Sequence, residues 1–504
     1  MKYRRILFAL IAAFATTGSC ISEQGREVDI WPTDGWATAE PEAQGVSSSI
    51  LAEMIEEIIS KNLHIDSVQI VRNGYMVLQA YRYPFSPQDG HIIHSCTKSI
   101  VSTLIGIAIE NEYFDSVNES IYEIFSDVEL AAEPEYDLTL RRLLMMATGL
   151  RSRDSYLHRW KGLQDMRRTD DWVKFILSLP FDAKPGMRFD YSNMSSFLLA
   201  AALQKRTGLP ALQFARMHLF EPLGISNVEW PESPSGINIG WGELIMRPED
   251  LAKIGLLFLQ NGMWEEQRIV SEKWVREATS MKIRAATLRE LYGYQWWIDP
   301  SGAYMALGYG GQYLIIEPKL ELITVFTSSL PEQLFFTPWQ LYDAYVRKAV
   351  GDNGALSGDP ESELQSALNQ FSAGPPSIRQ NTSPLAERVS GAGYQFEPNP
   401  FGMTGITIIF DRNRAIVREH YGEDLLDHET GLNGRFLFND FGSQGTVAVR
   451  AHWKTATELF IEYYSIGGAW RTELSLSFLG DRIEAAATTG SGATYTFTGH
   501  LVAR

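Results

Sequence analysis

Two side chains capable of nucleophilic catalysis stand three residues apart, just before the apolar run Ile100–Ile109. They are Ser95 and Lys98 in the sequence Ser-Cys-Thr-Lys, and residues three apart share one face of a helix. A lysine kept neutral by burial can take the proton of a serine hydroxyl, which then attacks a carbonyl carbon. Free amides at a helix N-terminus would stabilise the resulting oxyanion. Since chance can supply so short a pattern, an ordinary helix face is the alternative.

A second candidate pair is Tyr191 and Asn193, in Phe-Asp-Tyr-Ser-Asn ahead of a predicted helix. A nearby lysine ammonium would lower the pKa of the Tyr191 phenol, which could then relay protons between Ser95, Lys98 and a leaving group. The Asn193 amide would bond to the Lys98 amine or to a substrate carbonyl. The alternative is a tyrosine packed in a loop beside a helix-capping asparagine.

A third candidate segment contains Tyr309, Gly310, Gly311 and Gln312, between two β-rich runs. Glycines within a strand often mark close approach of a ligand to the backbone. One backbone amide here would complete an oxyanion hole with the amide of Ser95. A glycine-bearing turn between strands is the alternative.

The surrounding elements predict an α+β domain. An amphipathic helix precedes a hairpin that turns at Asn73-Gly74, and β character returns only after a long helical region. This order predicts an antiparallel sheet flanked by helices, with a helical subdomain inserted between its two halves. The principal predicted elements are a helix within 41–61, strands at 67–72, 75–81, 303–307, 313–317 and 322–327, and helices at 138–146, 170–179, 195–207, 248–261 and 338–350.

Residues 351–390 are rich in Gly, Pro, Ser and Asn, with one short helix candidate at 361–371, and are predicted to be a linker. Residues 391–504 contain short alternating runs separated by turn residues. Seven or eight strands at this spacing predict an antiparallel all-β barrel or sandwich. Because no cluster of nucleophile, base and acid is evident there, we expect this β-rich accessory domain to be structural or partner-binding.

The N-terminus is typical of an export signal. Three basic residues precede a short apolar stretch, and small residues lead to Cys20. Residues 1–20 are therefore predicted to be a signal peptide of the lipoprotein type, in which Cys20 is lipidated. The alternative is ordinary cleavage near Ser19. We expect an exported protein of the cell envelope or periplasm, tethered to the membrane through the Cys20 lipid.

The composition excludes several classes of function. A net charge of -17 over 504 residues argues against nucleic acid as a partner. The two cysteines, Cys20 and Cys96, form no intramolecular disulfide if Cys20 is lipidated, and the histidine spacing predicts no metal site. No Gly-x-Ser-x-Gly is present, and His94, next to Ser95 in sequence, would point away from it. An α/β-hydrolase elbow and a Ser-His-Asp triad are therefore both disfavoured.

Taken together, Ser-x-x-Lys, Tyr-x-Asn and the glycine-bearing strand resemble the serine β-lactamase and penicillin-binding protein superfamily. The resemblance covers residues 35–350 and is strongest to the class C-like branch, with its esterases, D-aminopeptidases and 6-aminohexanoate-dimer hydrolases. Supporting stretches are 71–74, 143–150, 242–255 and 292–297. The resemblance implies that Ser95 is acylated, Lys98 is the general base and Tyr191 relays protons. It also implies an oxyanion hole made by the amides of Ser95 and Gln312, and no cofactor.

One departure from the superfamily bears on the substrate. Tyr309-Gly310-Gly311 stands where β-lactamases have Lys-Thr-Gly, whose lysine helps to bind the substrate carboxylate. A small-molecule ester or small amide is therefore the favoured substrate, and Trp296 and Trp297 with Tyr309 could form an apolar acyl pocket. The alternatives are a β-lactamase or D-Ala-D-Ala carboxypeptidase-like enzyme, and a non-catalytic envelope binding or sensor protein.

Overall fold

Fourteen α-helices occur in the parts of the chain that the computed structural model describes, residues 30–155, 158–285, 290–351, 360–374 and 383–503. The predicted signal segment with Cys20 lies outside these residues. None of the described helices combines the length and apolar character needed to cross a membrane. The helices are α1 Ser48–Ser60, α2 Thr97–Glu110, α3 Ile121–Ile124, α4 Leu140–Leu144, α5 Lys161–Arg167, α6 Trp172–Leu177, α7 Asn193–Thr207, α8 Ala211–Ala215, α9 Pro248–Leu259, α10 Glu272–Ala278, α11 Thr337–Leu341, α12 Arg347–Gly351, α13 Pro360–Ser372 and α14 Pro384–Val389.

The first domain is built on an antiparallel sheet of eight strands in the order β2-β1-β12-β11-β10-β9-β8-β7, beside two short two-stranded ribbons, β3-β4 and β5-β6. Its strands are β1 Ile65–Arg72, β2 Tyr75–Tyr81, β3 His91–Ile92, β4 Ile245–Met246, β5 Met263–Trp264, β6 Gln267–Arg268, β7 Ile283–Arg284, β8 Leu291–Tyr292, β9 Trp297–Ile298, β10 Tyr304–Gly308, β11 Gln312–Glu317 and β12 Leu322–Ser328. The predicted α+β class, with a helical region inserted into an antiparallel sheet, is confirmed.

Two features, a tight turn and a long-range strand pairing, explain how this sheet is assembled. Asn73 and Gly74 both have left-handed backbones, with φ 52° and 84°, and form the two-residue turn between β1 and β2. β1 pairs along its length with β12, and both are almost wholly buried. Strands from the two ends of the domain thus lie side by side. The sheet packs on one face against α1 and the helix around α11, and on the other against the helical region containing α2, α7 and α9.

The C-terminal domain has ten strands, more than the seven or eight expected, and most of them form a β-barrel. Nine close into a ring, in which a parallel bridge joins β16 to β18, and β17 pairs with β18 at the side. One of the strands, β16, shows no alternation of apolar and polar residues in its sequence. Its buried central residues, His428 and Thr430, are themselves polar. The strands are β13 Gly393–Phe396, β14 Gly405–Asp411, β15 Arg414–Tyr421, β16 Asp424–Gly431, β17 Leu437–Asp440, β18 Thr446–Trp453, β19 Glu458–Ser465, β20 Arg471–Leu479, β21 Arg482–Thr489 and β22 Thr494–Ala503.

Part of the segment predicted as a linker belongs to the first domain. The α13 side chains Leu364, Ala367 and Phe371 form an apolar stripe that is buried in the same cluster as α1. The barrel also contacts the first domain directly. Tyr464 donates a hydrogen bond to the buried carboxylate of Asp66 at 2.7 Å.

Candidate active site

Ser95 and Lys98 lie at the start of α2, as the spacing predicts. Ser95 belongs to a single 3-10 turn, His94–Cys96, that leads directly into the helix, and Lys98 is in its first turn. The Lys98 side chain is buried, and its Nζ donates to Ser95 Oγ at 2.9 Å, to Asn193 Oδ1 at 2.8 Å and to the carbonyl oxygen of Trp241 at 2.7 Å. An amine so held has its donor directions fixed and faces the serine hydroxyl.

Burial gives Lys98 the protonation behaviour of a base. Loss of hydration lowers the pKa of Lys98 from 10.5 to about 7, while the negative charge of Asp154 acts in the opposite direction. A large fraction of the amine is therefore neutral near pH 7, and the neutral form can accept the Ser95 proton. The carboxylate of Asp154 limits how far this pKa falls.

Tyr191 lies over the same amine, with Lys98 Nζ 4.9 Å from its ring centroid. Its ring stacks on Trp297 with centroids 5.9 Å apart. The expectation that the lysine lowers the phenol pKa is wrong. Burial raises the pKa of Tyr191, and a hydrogen bond with the Ser95 side chain only partly opposes this. Desolvation dominates, and Tyr191 is a neutral phenol beside Ser95.

Asn193 is held by a carboxylate that the sequence analysis missed. Its Oδ1 accepts from Lys98, and its Nδ2 donates to Asp154 Oδ1 at 3.1 Å. Asp154 also accepts from Ser192 Oγ and from the Met194 amide, at 3.2 and 3.0 Å. Burial raises the pKa of Asp154 to about 6, against these hydrogen bonds and the charge of Lys98. No motif marks Asp154, because its neighbours in sequence show no periodic or spaced pattern.

The third candidate segment forms the turn between β10 and β11. Gly310 and Gly311 have φ 74° and 89°, and a Cβ on Gly311 would lie 2.4 Å from Ser328 Oγ, so the turn itself requires glycine. Tyr309 is about half exposed, and its ring meets His94 edge-on with centroids 5.7 Å apart. A Cβ on Gly310 would lie 3.5 Å from Ala469, so a barrel loop borders this turn.

The Gln312 side chain has a structural role. Its Nε2 donates to the carbonyl oxygens of Tyr309 and Ser328 at 3.1 and 2.6 Å, and its Oε1 accepts from the backbone amide of Ser328. Its main chain lies beside the nucleophile turn, since Cys96 Sγ is 3.6 Å from the Gln312 carbonyl oxygen. A role for the Gln312 backbone amide in an oxyanion hole stays a prediction.

The predicted aromatic acyl pocket is not formed by the two tryptophans. Trp296 and Trp297 are both buried. Trp296 packs on Phe258 and Tyr304 inside the helical side of the core, and Trp297 backs the Tyr191 ring. Both therefore belong to the core, and Trp297 acts on the site only by positioning Tyr191.

The geometry yields a first testable outcome, for Asp154→Asn. Three donors converge on this carboxylate, so the amide leaves a buried donor without an acceptor, and we expect a loss of about 1–3 kcal/mol in the free energy of unfolding. Because the Asp154 charge raises the pKa of Lys98, its removal should shift the acidic limb of the pH–kcat/KM profile to lower pH. Thermal unfolding and pH-dependent ester hydrolysis measure the two effects.

Asp250→Asn is the matched control. Asp250 is a fully buried carboxylate of α9, and the described ion-pair partners of Asp250 are Arg247 and Lys253 rather than Lys98. This variant should lose stability without moving the acidic limb. If Asp154→Asn leaves the limb where it is in the wild type, Asp154 has no electrostatic influence on the base.

The sheet order, the helical insertion and the buried lysine beside a serine define the class of serine β-lactamase-like hydrolases. A family model described as Beta-lactamase matches residues 52–347. Because this is more than half of the chain, the protein belongs to the Beta-lactamase family, and it is a hydrolase of that serine-dependent type.

Comparisons with individual proteins show what this chain is similar to. A 6-aminohexanoate-dimer hydrolase from Paenarthrobacter ureafaciens is 24% identical in an alignment of 294 positions, which covers 53% of this chain and 73% of the relative. A solved Bacillus anthracis structure named after the same hydrolase has a TM-score of 0.50 at 20% identity, covering 58% of this chain and 81% of its own. An octameric penicillin-binding protein homologue from Pyrococcus abyssi has a TM-score of 0.49 at 17% identity, covering 89% and 99%.

Proposed function

We propose that the protein hydrolyses esters or small amides through an acyl-enzyme on Ser95, with Lys98 as general base and Tyr191 as proton relay. The observation that carries the proposal is the buried Lys98 amine, which donates to Ser95 Oγ at 2.9 Å and has a pKa lowered to about 7. A buried amine of this pKa is a competent base at neutral pH.

The cycle has two halves. Ser95 Oγ bonds to the substrate carbonyl carbon while its proton passes to Lys98, and the tetrahedral intermediate collapses as the leaving group takes a proton through Tyr191. Water then attacks the acyl ester and gives a proton to Lys98 through Tyr191. The bond to Ser95 Oγ breaks as that proton passes to Ser95 Oγ, which releases a carboxylic acid and restores the Ser95 hydroxyl and the neutral amine. The neutral Tyr191 phenol supports this role because it can donate a proton and accept one in the same step.

The substrate class follows from what the third segment contains. Tyr309, Gly310 and Gly311 place no cation where β-lactamases use lysine, so recognition of a substrate carboxylate loses its usual partner. The Paenarthrobacter ureafaciens relative is named for hydrolysis of a 6-aminohexanoate dimer. We therefore propose an ester or a small linear amide rather than a β-lactam.

A labelling experiment tests the proposal. The protein without its N-terminal signal segment is incubated with a fluorophosphonate, and the adduct is mapped by mass spectrometry of peptides. One adduct per chain on Ser95, with turnover of p-nitrophenyl esters and none of a chromogenic cephalosporin, is the expected result. Adduct formation elsewhere, or no turnover of esters, linear amides or β-lactams, would leave a binding protein with this fold as the better description.

A further inference from the structure

A pocket of about 190 Å³ lies at the joint between the two domains, apart from the Ser95 site. Its walls come from both domains, and the guanidinium groups of Arg82, Arg450 and Arg471 all border it. Glu462 and Glu473 are its only acidic lining residues. The lining thus carries more positive than negative side chains in a protein whose net charge is -17.

The partners of these side chains show which charge is left over. Arg450 pairs with Glu462 at 2.6 Å, and Arg471 pairs with Glu473 at 2.6 Å. Arg82 instead donates to Asn62 Oδ1 at 2.7 Å and to the Leu63 carbonyl oxygen, and no carboxylate pairs with it among the described residues. Among the described residues, the lining therefore contains one more arginine than it has ion-paired carboxylates.

Arg471 is an arginine that the barrel contributes to the wall of the pocket, as the first domain contributes Arg82. The Nε–H of Arg471 is buried and has no hydrogen-bond partner in the described part of the chain, although its Nη1 holds Glu473. Because the Nε atom is buried, an anion in the pocket would bond to the other guanidinium nitrogens of Arg471. Arg82 and Arg471 come from different domains, so an acceptor between them would join the domains.

His64 reports the positive character of the pocket. It is buried in the pocket wall, and burial together with the charges of Arg471, Arg82 and Arg450 lowers the pKa of its imidazole to about 2. His64 is therefore neutral and adds no charge of its own. The field that disfavours a proton on His64 favours an anion beside it.

We propose that this interdomain pocket binds a small anion with planar or tetrahedral oxygens, a carboxylate or a phosphate, held by the lining arginines Arg82 and Arg471. Guanidinium groups recognise such oxygens through paired hydrogen bonds. The volume is below the ~300 Å³ at which pockets take drug-sized ligands, so the occupant is a small molecule or the end group of a larger one. A bound anion bridges the domains and stabilises their joint.

Calorimetric titration of the unlabelled protein with sodium acetate and, separately, sodium phosphate tests this at constant ionic strength. We expect saturable binding of one of the two, with a rise in the thermal midpoint, and the stronger arm identifies the class of anion. Arg82→Gln should weaken binding at least about tenfold, because it removes a charge-assisted donor. Arg471→Lys keeps a positive charge beside Glu473 but removes the planar, paired donors of the guanidinium group, and it should also weaken binding.

The control is Arg268→Gln. Arg268 is likewise an arginine that donates to a backbone carbonyl oxygen, here of Asn261, but it is exposed and outside the pocket. Binding should be unchanged in this variant. The proposal is overturned if the wild type shows no saturable binding of either anion up to about 10 mM, or if Arg82→Gln and Arg471→Lys both bind as the wild type does. Because no substrate is needed, the result is independent of the proposed hydrolase activity.

Discussion

Ser95→Ala is expected to lower kcat/KM for p-nitrophenyl ester hydrolysis by a factor on the order of 10⁴ or more, because a nucleophile and its base act as one unit. The methyl group cannot form the acyl bond, so a burst of p-nitrophenol and the fluorophosphonate adduct should both disappear. The fold should survive, since the change removes a single hydroxyl group, which bonds to Lys98 and Tyr191 at the start of α2. Stopped-flow and steady-state assays with thermal unfolding measure these effects.

Ser99→Ala is the matched control for that variant. Ser99 lies one turn further along α2, is buried, and donates to the Gln295 carbonyl oxygen at 2.7 Å. Its loss should cost about 1 kcal/mol of stability and leave turnover within about tenfold of the wild type. Wild-type turnover in Ser95→Ala, or equal losses in both variants, would show that the serine contributes packing and not chemistry.

The candidate site was predictable where a motif fixes local geometry. Ser-x-x-Lys determines a shared helix face, and Asn73-Gly74 determines a hairpin, so the positions of Ser95, Lys98, β1 and β2 follow from short-range rules. The distance between the Lys98 amine and Asn193, 95 residues apart, does not follow from such rules. Only the family resemblance brought those two segments together.

The features of the site that could not be predicted from the sequence depend on burial and long-range contacts. Asp154 has no spacing signal, yet its carboxylate fixes Asn193 and influences the Lys98 pKa. The direction of the Tyr191 pKa shift depends on desolvation, which no spacing reveals. Trp296 immediately precedes β9, which begins at Trp297, and alternation alone predicts opposite faces for the two rings. The sheet is covered on both faces, so both rings are buried.

Replacing Lys98 by methionine should lower kcat/KM by about 10³-fold and remove its dependence on a group of pKa about 7. In the wild type the lysine must be neutral to accept the Ser95 proton. Because its pKa is lowered to about 7, activity should rise as the pH increases through that value. Methionine has a similar length and no proton to exchange, so the remaining rate should be flat over this range.

Lys253→Met separates the loss of a base from the loss of a buried cation. Lys253 is buried like Lys98, but it pairs with Asp250 at 3.4 Å and donates to the Gly224 carbonyl oxygen, and Ser95 is not among its partners. We expect the Lys253→Met variant to unfold at a lower temperature than the wild type and to keep the wild-type pH–rate profile. If Lys98→Met retains the rise in activity near pH 7, another group accepts the proton. Lys98 would then act by orienting Ser95 and Asn193 rather than by proton transfer.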